Sequence, residues 1–342
     1  MPAPGHDASL VLADGRVLEY WEGGDPDGRP MVFHPGTPVT RLLGRWGHEA
    51  AVAAGVRLVS VNRPGYGGST SSTGAPSLLA VGRDTAALAS HLRLDEYAVF
   101  GSSGGGPFAV ATAVADSGRV CALGLVGAVG PWPLLDGPSA NPEDRECLAL
   151  LAAGDTDGAW ACFLRQVARD RGSLTPDEAV AAIMGGDESS LISDAAYRAI
   201  WVENWRLVRA NLRGYVFDNL AWGGAWDVDP RVVVAPTLLW YGTVDEHCPA
   251  ATHGQWYADR IAASQLVVVP SAGHFDVIDA HWPEVLAGLL QDLRPVPGRL
   301  AVADSLSVIT RQPRRRRRAG RARSRARARC ARHSDRTRGC RS

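Results

Sequence analysis

Residues 97–106 read Tyr97-Ala98-Val99-Phe100-Gly101-Ser102-Ser103-Gly104-Gly105-Gly106, and the run from Phe108 to Ser117 is FAVATAVADS. The aromatic and β-branched residues at 97–100 predict a short buried strand, and the Ala/Val-rich run that follows predicts a helix. Between them lies G-x-S-x-G, in the strand-turn-helix context where a serine hydroxyl projects from a tight turn as a nucleophile. The flanking positions must lack bulk for the strand and helix to approach, which is why they are glycines. By register the candidate nucleophile is Ser103 and not Ser102. A phosphate-binding loop competes with this reading, but the chain has no GxxxxGK[ST] lysine and no GxGxxG with a downstream ribose carboxylate.

A serine hydroxyl is a poor nucleophile at neutral pH and needs a base, itself oriented by a carboxylate. Downstream, Thr237-Leu-Leu-Trp-Tyr241 runs into Gly-Thr-Val-Asp245, and Leu266-Val-Val-Val269 runs into Pro-Ser-Ala-Gly-His274. Asp245 is the candidate carboxylate and His274 the candidate base, each just beyond a predicted strand. Glu246 and His247 are adjacent competitors, while His34, His48, His91, His253 and His281 read as packing or surface residues. An oxyanion needs two backbone N–H donors. Gly104 follows the nucleophile, and His34-Pro-Gly-Thr-Pro38 is an early strand-to-helix loop in which Pro35 and Pro38 have no N–H, leaving Thr37 as the second candidate.

Working outward, strands and helices alternate. Ser9 to Leu12 and Val17 to Trp21 flank Asp14-Gly15 as a hairpin. Met31 to Phe33 and Arg57 to Val61 are strands that stop in glycine-rich loops, the second being Asn62-Arg-Pro-Gly-Tyr-Gly-Gly-Ser69. Helices are expected over 78–92, 255–261 and 283–293, and strands over 120–129 and 265–269. The pattern predicts an α/β protein with a mostly parallel sheet covered on both faces and a site at the carboxyl ends of its strands. Residues 132–226 differ: they have helical spacing and hold six of the eleven tryptophans. The expected division is 1–131 and 228–297 for the two parts of the core, 132–227 for a helical insertion and 298–342 for a tail.

Composition fits an enzyme-sized folded body, with 46% hydrophobic and 21% charged residues in 342. The formal net charge of zero conceals an asymmetry. All 36 basic residues are arginine; residues 311–342 hold 15 of them against one acid, Asp335, so the tail carries +14 and the rest of the chain −14. The tail has no hydrophobic pattern and is expected to be disordered. It could bind nucleic acid through phosphate contacts, serve as a solvated extension, or be an out-of-frame extension of a GC-rich gene; truncation after Pro297 would remove any such binding and spare catalysis. The N-terminus has no signal-peptide pattern and no apolar run approaches the ~20 residues that span a bilayer. Cys121, Cys147, Cys162, Cys248, Cys330 and Cys340 show no metal-ligand spacing. These features suggest a cytoplasmic chain without a membrane partner, metal or cofactor, and leave the oligomeric state open.

HPGTP, NRPGYGGS, GSSGGG, GTVD and AGHF together resemble the α/β-hydrolase family over about Ser9 to Leu293, near the bacterial proline-iminopeptidase-like and esterase-like branch. The order Ser103, Asp245, His274 is that family's order. Two positions depart from it: the branch usually has His before the Gly of HGxP, where this chain has Pro35 with His34 one place earlier, and Asn62 stands where Asp is common. The resemblance implies attack by Ser103 on an acyl carbon, proton transfer by His274 held by Asp245, and hydrolysis of the acyl-enzyme by water. It also implies that the insertion is a lid, whose tryptophans suggest an apolar acyl or ring pocket, although a tryptophan-rich helical stripe is more often simple core packing. A peptidase would need an acidic anchor, for which Glu143, Asp144 and Glu203 are candidates. Acyl transfer, lyase chemistry or carbon–carbon hydrolysis on the same residues, and a non-catalytic ligand or nucleic-acid binder, are the rival expectations.

Overall fold

The structure, a computed structural model, describes residues 5–72, 74–131, 142–184 and 190–291. Trp132 with its neighbours to 141, and the expected tail at 298–342, lie outside the described residues. Eight strands form one sheet in the order β1-β2-β4-β3-β5-β6-β7-β8: β1 (His6–Val11), β2 (Val17–Gly24), β3 (Arg29–His34), β4 (Val56–Val61), β5 (Tyr97–Ser102), β6 (Val120–Val126), β7 (Thr237–Gly242) and β8 (Ser264–Val269). The expected hairpin is present, with Leu10 opposite Leu18 and Val11 opposite Val17. Pairings β1–β2 and β2–β4 are antiparallel, and the rest of the sheet is parallel.

Central strands with both faces covered read as continuous apolar runs, and alternation then decides which layer each residue joins. Val32, Val59, Val99, Leu123 and Leu239 pack with α2 (Leu78–His91) and α3 (Gly106–Ala115). Met31, Phe33, Leu58, Ala98 and Phe100 pack on the other face, where α1 (His48–Ala54) and α10 (Trp282–Gln291) lie together. Ser77 caps α2 by accepting the Ala80 N–H, and Leu78, Val81, Thr85 and Leu88 form its buried stripe. In α3 every residue from Gly106 to Ala113 is buried, as expected of a helix with no polar face.

Among the described residues five α-helices come between β6 and β7: α4 (Pro142–Ala152), α5 (Thr156–Arg171), α6 (Pro176–Met184), α7 (Ala195–Ala210) and α8 (Arg213–Gly223). Asp155 and Asp194 cap α5 and α7 through their carboxylates. A disulfide joins Cys147 on α4 to Cys162 on α5. The cysteine spacing gave no hint of this pair, and it runs against the cytoplasmic placement expected from the sequence, since such bonds persist mainly in oxidising compartments. The helix expected over 255–261 is α-helical only as α9 (Gln255–Ala258), preceded by a π-helical turn at Ala250–Gly254. No described helix is long and apolar enough to cross a membrane.

Candidate active site

Strand β5 ends at Ser102, and the chain turns at once into α3 through Ser103–Gly105. Ser103 occupies the left-handed region at φ 48°, a conformation that an L-residue holds only when its surroundings enforce it. They do so by contact. A β-carbon at Gly101 would lie 2.4 Å from the Gly105 carbonyl oxygen, and one at Gly105 would lie 2.1 Å from that of His34. Both serines line one cavity, but Ser102 is buried with its hydroxyl unpartnered, whereas Ser103 is half-buried with its hydroxyl 3.0 Å from a histidine nitrogen.

His274 and Asp245 follow β8 and β7, the two strands beyond β6 at this end of the sheet. His274 Nε2 lies 3.0 Å from Ser103 Oγ, and His274 Nδ1 lies 2.8 Å from Asp245 Oδ2. The other oxygen of Asp245 accepts the N–H groups of His247 at 2.9 Å and Cys248 at 2.8 Å. Burial raises the Asp245 carboxyl, but the charge and hydrogen bond of His274, with the Cys248 N–H, outweigh burial and hold it below the ordinary carboxylate value. Glu246 is exposed, and the His247 ring stands 5.0 Å from that of His274. Among the remaining histidines, His253 accepts the Gly130 N–H and His48 the Gly24 N–H. This arrangement can abstract a proton from a serine hydroxyl and hold the resulting imidazolium.

The loop after β3 lies against the elbow. A β-carbon on Gly104 would sit 2.3 Å from Thr37 Oγ1 and 3.3 Å from its amide nitrogen, so the two expected N–H donors belong to segments in van der Waals contact. His34 does not brace this loop from within. Its Nε2 pairs with Thr112 Oγ1 at 3.0 Å, and burial, then the charge of Arg63, pushes its pKa down to about 3. The loop is instead gripped by Arg63, which donates to the carbonyls of Pro35 and Gly36. Arg63 lies within the quoted NRPGYGGS stretch, but its role was not read from the sequence. Its partner Asp218 could have been suspected as a charge on the buried face of α8 beside Gly214, Phe217 and Ala221.

The cavity at Ser103 measures about 220 Å³ and is walled by Val39, Leu43, Ile183, Trp201, Phe275 and Ile278, with Arg171, Tyr215 and Asp279 as polar members. Of the described tryptophans between β6 and β7, Trp201 lines this cavity, while Trp160 and Trp205 are buried in separate apolar clusters. The three carboxylates considered as anchors stand elsewhere. Glu143 pairs with Arg169, Glu203 faces Arg45 at the surface, and Asp144 accepts from Gln166 in a neighbouring cavity. Asp279, which the sequence did not single out, is the carboxyl lining the Ser103 cavity; it is buried, accepts the Tyr197 hydroxyl, and is pushed by burial to about 7.

Residues 31–289 match the model of the Alpha/beta hydrolase family. Over 270 residues the chain is 26% identical to a non-heme haloperoxidase of Rhodococcus erythropolis, spanning 78% of this chain and 92% of that protein. It is 24% identical over 292 residues to a probable proline iminopeptidase of Leptolyngbya boryana, spanning 80% and 89%. A thermophilic esterase of Thermogutta terrifontis superposes with a TM-score of 0.62 at 19% identity, covering 84% of this chain and 98% of that one. With the elbow, the strand order and this match over the greater part of its length, the chain belongs to the alpha/beta hydrolase family.

Proposed function

We propose that the protein is a serine hydrolase that cleaves an ester or a small amide through an acyl-enzyme. The observation that carries this reading is the continuous path Ser103 Oγ, His274 Nε2, His274 Nδ1, Asp245 Oδ2, with contacts of 3.0 and 2.8 Å and the serine held at positive φ. Ser103 Oγ attacks the acyl carbon while His274 Nε2 takes the hydroxyl proton. Asp245 keeps Nδ1 protonated and stabilises the imidazolium. The oxyanion formed at the acyl oxygen accepts from the N–H groups of Thr37 and Gly104. Collapse breaks the bond to the leaving alcohol or amine, which receives the proton from His274. Water then repeats the sequence and frees the acid.

The substrate is a small molecule with an apolar acyl or ring group, set by Leu43, Trp201, Phe275 and Ile278. Helices α4–α8 act as the lid, which contributes Arg171, Ile183, Trp201 and Tyr215 to the cavity. The names of the relatives, one a probable iminopeptidase, one a haloperoxidase and one an esterase, support testing esters first and aminoacyl amides second.

The test is labelling by a fluorophosphonate probe of the wild type, Ser103→Ala and Ser102→Ala. Labelling lost in Ser103→Ala and kept in Ser102→Ala supports the reading. Folded wild-type protein that does not label would overturn it.

A further inference from the structure

The loop that carries Thr37 past Gly104 has little backbone support of its own. Pro35 and Pro38 cannot donate, and the turn is closed by a single bond from the Val39 N–H to the Gly36 carbonyl at 3.1 Å. Its remaining restraints come from distant side chains: Asn204 of α7 donates to the Pro38 carbonyl at 3.1 Å and accepts the Thr40 N–H at 2.7 Å, while Arg63 and Asp218 hold the three residues before Pro38. Arg63 donates through Nη1 to the Pro35 carbonyl at 2.5 Å and through Nη2 to the Gly36 carbonyl at 2.8 Å. The same guanidinium binds Asp218 with both faces of its fork, Nε to Oδ1 at 2.8 Å and Nη2 to Oδ2 at 2.5 Å. Asp218 Oδ2 also accepts the Thr37 hydroxyl at 2.7 Å and the Tyr66 hydroxyl at 2.7 Å. Three consecutive loop residues, Pro35, Gly36 and Thr37, are thereby tied to one carboxylate on α8.

Both Arg63 and Asp218 have no exposed side-chain surface. Burial disfavours the arginine's charge, but Asp218, by charge and hydrogen bond, more than compensates and keeps it protonated. The Tyr66 and Phe108 rings close over the guanidinium at 5.3 and 4.9 Å. A buried ion pair of this kind adds little stability over well-packed apolar residues, whereas its planar, bidentate geometry fixes direction. The direction it fixes here is that of the loop bearing the Thr37 N–H.

We infer that Asp218 is a positioning residue for the oxyanion donor: through the Thr37 hydroxyl and through Arg63 it sets the orientation of the Thr37 amide, so that a helix following β6 governs transition-state stabilisation at Ser103. This rests on the proposal that Ser103 is the nucleophile and the Thr37 N–H an oxyanion donor. The role assigned to Asp218 requires no contact with substrate.

The test compares two substitutions that packing and hydrogen bonding rank in opposite order. Thr37→Val keeps the shape and the backbone N–H but deletes the hydroxyl, while Thr37→Ser deletes a methyl and keeps the hydroxyl. The readout is the rate constant for fluorophosphonate labelling of Ser103 at saturating probe, together with the probe's reversible binding constant. Positioning through Asp218 predicts that Thr37→Val slows labelling by about tenfold or more, that reversible binding changes by less than about twofold, and that Thr37→Ser restores most of the rate. Asp218→Asn should slow labelling in the same way where it folds; the Thr37 pair stands without it because neither substitution unpairs Arg63. Thr37→Val labelling at the wild-type rate, or Thr37→Ser slower than Thr37→Val, would overturn the inference while leaving the serine-hydrolase reading intact. Wild-type protein that does not label at Ser103 would overturn both.

Discussion

Asp245 meets His274 with one carboxylate oxygen, 2.8 Å from Nδ1, and spends the other on the backbone N–H groups of His247 and Cys248. The carboxylate therefore has a single orientation, and so does the imidazole it holds. Asp245→Asn preserves shape and can keep the two backbone bonds through its carbonyl oxygen, but it turns an amide N–H toward Nδ1 and favours the wrong tautomer. Turnover of an activated ester is expected to fall on the order of 10⁴-fold with little change in thermal stability. Exposed Glu246 cannot take over, because the residue must reach Nδ1 from the buried side. An Asp245→Asn enzyme within tenfold of the wild type would remove Asp245 from the mechanism.

Why these three residues were legible in advance is a matter of locality. Each stands just after an apolar strand run, and in a parallel sheet strands that end at one edge deliver their following residues to one site. Strand, turn and helix around Ser103 are encoded within a few residues, so the elbow could be read directly. Arg63 and Asp218 are 155 residues apart. Neither has a local pattern that names the other, and the pair exists only once α8 has packed against the loop after β4. Asp279 escaped for a similar reason, since a carboxyl on an apolar segment declares its burial but not the cavity it faces. The Cys147–Cys162 pair depends on the packing of α4 on α5, which the sequence leaves open.

Gly105 is a sharper test of the elbow than its neighbours. A β-carbon there would lie 2.1 Å from the His34 carbonyl oxygen and 2.5 Å from that of Pro35, both backbone atoms that cannot swing away. Gly105→Ala must part the elbow from the loop after β3. Stability should fall by about 1–3 kcal/mol, read as a lowered Tm, and ester turnover should fall further than stability alone explains. Gly118, where a β-carbon meets nothing within 4 Å, provides the control: Gly118→Ala should leave both unchanged. Equal behaviour of the two variants would mean that the close approach has no consequence.

The disulfide can be checked by mapping thiols. Among the described residues Cys147 and Cys162 are paired while Cys121 and Cys248 are free, so alkylation of protein denatured without reductant, read by peptide mapping, should mark Cys121 and Cys248 and leave Cys147 and Cys162 unmarked until the protein is reduced. Their separation of 15 residues corresponds to about 3 kcal/mol in the chain-entropy account, so dithiothreitol should lower the Tm by several degrees. Alkylation of Cys147 and Cys162 before reduction would remove the bond.

Two buried groups make stability depend on pH with opposite signs. Burial pushes His253 down to about 4, and its Nδ1 accepts the Gly130 N–H as a neutral ring. Between about 4 and 6.5 the unfolded chain therefore binds a proton that the folded protein does not, and stability is lost as pH falls through that window. Asp279 behaves in reverse. Burial pushes its carboxyl up to about 7, with the Tyr197 hydroxyl and the charge of His274 only partly opposing, so the folded protein keeps a proton that the unfolded chain has released. Its contribution is complete below about 4 and is lost as pH rises to about 7. His253→Asn, which can present an acceptor near the position of Nδ1, should flatten the acid limb of a plot of Tm against pH. Asp279→Asn, permanently neutral, should flatten the upper limb, so that its Tm gains on the wild type as pH rises from about 4 to about 7. Scanning calorimetry of the three proteins decides the matter: curves that stay parallel to the wild type would show that neither group titrates as its burial requires.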